Sequence, residues 1–164
     1  MKLIRSISGI RGIVDQTIND STVKHYCNAF SSIQGPGKFA IARDGRNPGK
    51  ELYISAIEVI KGLKRKTILL DIAPTPTVQY IVKKYNLAGA IIITASHNPQ
   101  GWNGIKLVDK EGLFINNKKF IELCKTVDKK ESFNHHLSIP FSEEYNGQHY
   151  ILEHINDTIN LPYI

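Results

Sequence analysis

One apolar run constrains the fold of this chain more than any other feature. Residues 88–95 read AGAIIITA, contain no charged side chain, and lead directly into the turn-forming residues SHNP. A half-exposed strand would alternate apolar and polar residues, so this run predicts a strand that is buried on both faces. Such a strand needs helices on both sides of its sheet, and we therefore expect an α/β architecture.

The rest of the chain alternates predicted helices and strands. Helices are predicted over 20–34, 50–63, 77–86, 117–128 and 142–160, and strands over 38–42, 67–72 and 105–109, the last an antiparallel return after Asn103-Gly104. Residues 129–141 are interpreted as an irregular connection. The pattern predicts one three-layer α/β domain over residues 1–164, with a mixed, mostly parallel sheet of about four strands between helices.

Charge and cysteine content exclude few functions. The formal charge is +6, but the basic residues form short groups near the ends of predicted elements. A small phosphorylated ligand fits this positive charge as well as a nucleic acid does. No RNA-binding motif or zinc knuckle accompanies the basic residues, so we expect no nucleic-acid partner. Cys27 and Cys124 have no metal-ligand spacing. We expect two buried free thiols in a reducing compartment.

The sequence predicts neither a membrane span nor a secretory signal. No apolar run approaches the roughly 20 residues that a spanning helix needs. The opening MKLIRSISGIRG has too short an apolar stretch and too early an arginine for a signal peptide. We therefore expect a cytoplasmic protein without a membrane partner.

Four unusual segments lie where an α/β sheet binds its ligands. Ligands bind beyond the carboxyl ends of parallel strands. ASHNPQGWNG, ARDGRNPG and APTPT each follow a predicted strand, and SGIRG at residues 8–12 places two glycines around Arg11. Glycines permit close approach of a ligand to the backbone, and arginine matches phosphate geometry. We expect these segments to converge at one edge of the sheet.

Ser96 is the first candidate nucleophile because it follows the apolar strand directly. Pro99 biases Asn98 toward an extended conformation, which helps to hold the loop rigid. Neighbouring side chains usually diverge, so we do not expect a direct Ser96–His97 nucleophile–base pair, and the G-x-S-x-G elbow of hydrolases is absent. Taken singly, each segment fits an ordinary turn or a solvated surface. Four such segments at one edge favour a site.

These segments resemble a known family. TASHNPQGWNGIK closely resembles the phosphoserine loop of the α-D-phosphohexomutases, which include phosphoglucomutase, phosphomannomutase and phosphoglucosamine mutase. SGIRG is similar to the family's amino-terminal motif, and ARDGRNPG to its second loop. Their order and spacing match domain 1 over essentially residues 1–164. The opening SISGIRG is most similar to the bacterial phosphomannomutase/phosphoglucosamine mutase branch.

The resemblance implies a phosphoryl-transfer mechanism. Ser96 matches the serine that carries the phosphoryl group, donates it to a hexose monophosphate, and recovers the other phosphoryl group from a hexose 1,6-bisphosphate intermediate. His97 and Lys106 match positions that assist proton transfer or stabilise the phosphoryl group, and Arg11 matches the arginine near it. Asn98, Arg43 and Arg46 are candidates to bind the substrate or its phosphate.

The resemblance also implies Mg²⁺, with the phosphate on Ser96 as one metal ligand. The family's Asp-Gly-Asp-x-Asp-Arg metal loop and the loops of its third and fourth domains are absent. We therefore expect a fragment of a longer multidomain parent. The fragment needs the downstream domains for activity and is expected to be inactive alone. Ser8-Gly9 and Ala42 depart from the common pattern, so the hexose phosphate stays open, as do the oligomeric state and the phosphorylation of Ser96. The first alternative is a non-catalytic sugar-phosphate-binding module, and the last is nucleic-acid binding through the basic charge, which would be sensitive to salt.

Overall fold

A computed structural model of the chain describes residues 2–129 and 147–160, and this part contains one sheet and five helices. The strands are β1 (Ile4–Ser6), β2 (Gly9–Ile13), β3 (Phe39–Arg43), β4 (Thr67–Ile72), β5 (Gly89–Ile93) and β6 (Trp102–Asp109). The helices are α1 (Asp20–Ile33), α2 (Gly49–Gly62), α3 (Thr75–Lys84), α4 (Asn117–Asp128) and α5 (Gly147–Ile159).

The sheet is mixed and has the strand order β1-β2-β6-β5-β3-β4. The predicted α/β class is confirmed, but the expected number of about four strands was too low. The two further strands form an antiparallel hairpin, β1-β2, which joins the sheet through β6. Only β4-β3-β5 is parallel, so the expected parallel character holds for that part alone.

The SGIRG segment is strand β2 and its lead-in, not the ligand-binding loop that we expected. Two glycines in five residues weaken a strand prediction. Here they permit close packing, since a Cβ on Gly9 would lie 2.9 Å from the carbonyl oxygen of Ile105. Main-chain pairing with β6 and the burial of Ile10 therefore determine the local structure.

Helices cover both faces of the sheet. On one face α1, α2 and α4 bury a core in which the rings of Phe30 and Phe39 meet edge to face at 5.8 Å. On the other face α3 packs on alanines and aliphatic side chains of β3 and β5, and α5 packs beside it on β4. Every residue of β5 is buried, as the uninterrupted apolar run predicts.

The helix positions follow the prediction closely. The side chain of Asn19, one residue earlier than expected, caps α1 by accepting a hydrogen bond from the Thr22 N–H. Residues 142–146 of the last predicted helix, and the predicted connection apart from Lys129, lie outside the described residues. Both cysteines are free, although only Cys27 is fully buried. No helix in the described residues is long and apolar enough to cross a membrane.

Candidate active site

Ser96 lies at the exit of β5 with its side chain exposed, three residues beyond the last strand residue. Its φ is 57°, in the left-handed region. This conformation costs a serine about 1–3 kcal/mol, so surrounding contacts must hold it. One such contact is the hydrogen bond that the Ser96 N–H donates to Thr94 Oγ1 at 3.0 Å.

The loop at residues 44–48 holds the serine loop, which we define as residues 96–101, through hydrogen bonds. Thr94 Oγ1 donates to Asp44 Oδ2 at 2.8 Å. Arg46 donates to the carbonyl oxygens of Ser96 at 2.7 Å and Pro99 at 2.8 Å. Two of the four expected segments therefore meet at the carboxyl end of the parallel strands.

A cleft of about 690 Å³ opens between these two loops, beside Ser96. Its lining consists of Asp44, Gly45, Arg46, Asn47, Pro48, Ser96, Gln100 and Gly101. The APTPT segment begins α3 and does not contribute to this lining. The cleft is large enough for a sugar phosphate, and the exposed serine hydroxyl lies at its wall.

His97 and Asn98 have different surroundings. His97 is exposed, and its Nδ1 lies 3.5 Å from Ser96 Oγ. That separation is at the outer limit of a hydrogen bond, so the apo geometry leaves the two side chains loosely associated. Asn98 donates through its main-chain N–H and its Nδ2 to the carbonyl oxygen of Ala95, at 3.2 and 2.7 Å. In this structure Asn98 holds the turn.

Arg11 and Lys106 lie on the adjacent strands β2 and β6. Arg11 is opposite Gly104, whose carbonyl oxygen accepts the Thr94 N–H at 2.9 Å. Among the described residues, no carboxylate pairs with either cation, and the buried Nε of Arg11 has no hydrogen-bond partner. Burial, with a contribution from the charge of Arg11, lowers the pKa of Lys106. The ammonium of Lys106 lies 5.0 Å from the centre of the Phe114 ring, and Arg11 Nη2 donates to Ser8. Neither cation therefore has an anionic partner in the parts of the chain that the structure describes, and an anionic ligand is favoured.

Arg43 is directed away from the serine loop. Its Nε donates to Asp71 Oδ1 at 2.5 Å, and its Nη1 to the carbonyl oxygen of Asp44 at 3.1 Å. The structure therefore does not bring Arg43 together with Ser96, whereas it does bring Arg46. Whether Asn98, Arg43 or Arg46 binds a phosphate stays a prediction.

Asp44 and Thr94 are site residues that sequence reasoning missed. Each follows one of two neighbouring parallel strands, β3 and β5, and this shared position was the available signal. No metal-ligand cluster accompanies them: in residues 2–129 and 147–160, no group of three or more His, Cys, Asp or Glu could hold a metal ion. Asp44 is instead occupied by Thr94 and Arg46.

Comparisons with known proteins find similar sequences and a similar fold. A family model described as phosphoglucomutase/phosphomannomutase, alpha/beta/alpha domain I, matches residues 2–134. A phosphoglucosamine mutase of Prochlorococcus marinus is 34% identical over an alignment of 135 residues, and the match covers 73% of this chain and 29% of the relative. A phosphoglucosamine/phosphogalactosamine mutase of Sulfurisphaera tokodaii is 37% identical over 120 residues, covering 70% of this chain and 26% of the relative.

A solved structure shows the same fold. The crystal structure of a phosphoglucomutase/phosphomannomutase family protein from Burkholderia thailandensis superposes with a TM-score of 0.66 at 25% identity. The match covers 77% of this chain and 31% of that protein. This chain therefore spans less than a third of the length of the proteins that it matches.

Proposed function

The chain belongs to the phosphoglucomutase/phosphomannomutase family through its residues 2–134, and from that membership we propose that it supplies the phosphoryl-carrying serine of a phosphohexomutase. The observation that carries the proposal is Ser96 itself. Its hydroxyl is exposed at the wall of a cleft, while hydrogen bonds with Thr94 and with Arg46 of the neighbouring loop hold its main chain. A purely structural turn does not require an exposed hydroxyl in a strained, well-supported conformation.

The proposed reaction has two phosphoryl transfers. A hydroxyl oxygen of the hexose monophosphate attacks the phosphorus on Ser96 while the bond from phosphorus to Oγ breaks; the hydroxyl proton passes to a base of the site, and the released Oγ takes up a proton from the site. The resulting hexose 1,6-bisphosphate reorients. Ser96 Oγ then attacks its other phosphoryl group and loses its own proton, and the product hexose phosphate leaves with a proton on the released oxygen.

Three side chains of this chain are proposed to assist these transfers. His97, whose Nδ1 lies 3.5 Å from Ser96 Oγ, would exchange a proton with that oxygen once the two side chains approach each other. Arg11 and Lys106 would neutralise the phosphoryl charge, which is spread over oxygens in the transition state. The lowered pKa of Lys106 also makes its ammonium a better proton donor than an exposed lysine.

We propose that Mg²⁺ binds through the phosphate on Ser96. Within the described part of the chain, no cluster of His, Cys, Asp and Glu could hold the ion alone. This chain would therefore contribute one ligand, the phosphoserine, and other segments of a longer protein would contribute the rest. When bound, the ion polarises phosphoryl oxygens and offsets their charge.

We propose a hexose phosphate as the substrate and further domains as partners. The matched relatives are more than three times the length that this chain covers, and two of them are called phosphoglucosamine or phosphogalactosamine mutases. Glucosamine phosphate is therefore the first substrate to test. The chain alone is proposed to have negligible mutase turnover, and a location in the cytoplasm is part of the same proposal.

The test uses a chimera in which this chain replaces the matching segment of the Prochlorococcus marinus phosphoglucosamine mutase. The chimera is incubated with glucosamine 1,6-bisphosphate, and phosphorylation is mapped by mass spectrometry. We expect a phosphoryl group on Ser96 that glucosamine phosphate removes again. Ser96→Ala is the matched control and should not be labelled. A folded, Mg²⁺-binding chimera that binds the sugar phosphate without ever labelling at Ser96 would instead support the non-catalytic binding module.

A further inference from the structure

Arg46 has an environment unlike that of a phosphate ligand. All three nitrogens of its guanidinium group have protein partners: two carbonyl oxygens of the serine loop, the carbonyl oxygen of Trp102 just after it, and the carboxylate of Asp44. We propose that Asp44, Thr94 and Arg46 form a clamp that positions Ser96, and that Arg46 is a positioning residue and not a ligand of the substrate phosphate. The catalytic consequence rests on the proposed function, whereas the positioning itself does not.

The first half of the clamp is a chain of hydrogen bonds with a fixed direction. Thr94 Oγ1 donates its single proton to Asp44 Oδ2 at 2.8 Å. The same oxygen therefore presents a lone pair to the Ser96 N–H, which donates to it at 3.0 Å. Asp44 is itself anchored, because its Oδ1 accepts from the Arg46 N–H at 3.1 Å and its own N–H donates to the Ile93 carbonyl oxygen at 3.0 Å.

The second half of the clamp is the Arg46 guanidinium. Its Nη2 donates to the Ser96 carbonyl oxygen at 2.7 Å, and its Nη1 to the carbonyl oxygens of Pro99 at 2.8 Å and Trp102 at 3.4 Å. Its Nε lies 3.3 Å from Asp44 Oδ2. Three acceptors spaced along a turn match the planar fork of arginine, and a lysine ammonium could not reach them together.

The two halves of the clamp bind the two peptide groups that flank the Cα of Ser96. Thr94 binds the N–H of Ser96, and Arg46 binds its carbonyl oxygen. These two contacts fix the peptide planes on either side of a φ of 57°, which few residues other than glycine adopt. Without them the serine would relax toward an ordinary φ, and a displacement of the nucleophile by about 1 Å can lower a rate by about 10²-fold.

In this proposal, cations other than Arg46 bind the phosphate. A phosphate that took over the N–H groups now bonded to the Ser96 and Pro99 carbonyl oxygens would release the serine loop. The charge of Arg46 is already paired with Asp44. Arg11 and Lys106 have no carboxylate partner among the described residues, so they can bind a phosphate without breaking an ion pair. The clamp and the anion-binding groups are therefore different side chains.

Hydrogen exchange measured by NMR on the complete 164-residue chain tests the positioning. Thr94→Val keeps the shape of the side chain but removes the acceptor, so exchange of the Ser96 amide should accelerate about tenfold relative to that of the core residue Ile91. Thr94→Ser keeps the hydroxyl and is the matched control, with little expected change. Normalisation to Ile91, which is buried in β5, separates local release from global unfolding.

A second pair of variants tests Arg46. Arg46→Lys should accelerate exchange of the Ser96 amide and shift the carbonyl carbon resonances of Ser96 and Pro99. Arg5→Gln removes a guanidinium from the exposed pair with Asp128 and should change neither. If neither Thr94→Val nor Arg46→Lys changes Ser96, the clamp does not exist.

Kinetics of the chimera separate positioning from phosphate binding. Arg46→Lys should lower kcat by about tenfold or more while the KM for the hexose phosphate stays nearly constant. The variant changes the position of the reacting Ser96 Oγ and leaves ground-state binding of the substrate unchanged. A raised KM with an unchanged kcat would make Arg46 a phosphate ligand and overturn the proposal. Loss of Ser96 labelling in the unmutated chimera, with normal amide protection, would overturn the proposed function and leave the clamp intact.

Discussion

Gly104 offers a sharp test of how closely β2 and β6 pack beside the candidate site. A Cβ added at this position would lie 2.5 Å from the carbonyl oxygen of Ile10, 2.9 Å from that of Thr94 and 3.0 Å from Arg11 Cγ. Two of the three atoms belong to the main chain of neighbouring segments, which cannot rotate away. Gly104→Ala should therefore force the strands apart and not simply rearrange a side chain.

The cost of this substitution follows from the strain of overpacking, which is typically about 1–3 kcal/mol. Because the closest atoms are main-chain oxygens, we expect a value near the upper end, about 3 kcal/mol. In urea this corresponds to a midpoint lower by about 1–2 M at an unchanged m-value. In thermal unfolding it corresponds to a Tm lower by about 6–12 °C for a chain of this size.

The assay is urea denaturation followed by far-UV circular dichroism, with Gly101→Ala as the matched control. Gly101 lies three residues earlier in the serine loop, and an added Cβ there would have no atom within 4 Å. The control should change the free energy of unfolding by less than about 0.5 kcal/mol. If Gly104→Ala unfolds at the same urea concentration as Gly101→Ala, the close strand approach is refuted.

Three further predictions concern the core, a titrating lysine and the cysteines. Phe30→Ala should lower the free energy of unfolding by about 3–5 kcal/mol in the same urea assay, since the ring is fully buried against Phe39; a loss below about 1 kcal/mol would contradict that packing. The pKa of Lys106 is lowered from its ordinary 10.5, so between these two pKa values the unfolded chain binds more protons, and stability contributed by this residue should rise with pH across that window. Lys106→Met should abolish this rise when urea unfolding is repeated at successive pH values, and an unchanged slope would exclude the lowered pKa. Burial raises the pKa of the Cys27 thiol, so iodoacetamide should alkylate the half-buried Cys124 first, and peptide mapping that finds Cys27 modified first would refute its burial.

Much of the fold was predictable because the parallel strands and their helices carry strong local signals. The run over β5 has no polar interruption, and α1 to α3 have clear periodicity and end signals. The hairpin β1-β2 was not predictable in the same way. Its second strand consists largely of glycine and of Arg11, and its stability depends on pairing with β6, which lies far away in the sequence.

The residues of the candidate site were predictable from the sequence, but the different contacts that each of them makes were not. The position of Ser96 at a strand exit follows from the sequence, and so does the presence of polar groups at that edge. Arg43 and Arg46 look equivalent in the motif RDGRNPG. Only the fold separates them, because Arg43 pairs with Asp71 whereas Arg46 reaches the carbonyl oxygens of the serine loop. Such contacts depend on tertiary geometry, which short motifs do not encode.

The position of β6 in the sheet has a consequence for synthesis on the ribosome. Strand β2 is complete at Ile13, but β6, to which it pairs, begins only at Trp102, roughly 90 residues later. At ordinary translation speeds this interval lasts about 5–20 seconds. During that time the hairpin β1-β2 has no sheet to join, and an isolated two-stranded hairpin is at best marginally stable in water. Arg11 and Lys106 thus come together only after β6 has emerged, so this end of the sheet is completed late in the synthesis of the described part of the chain.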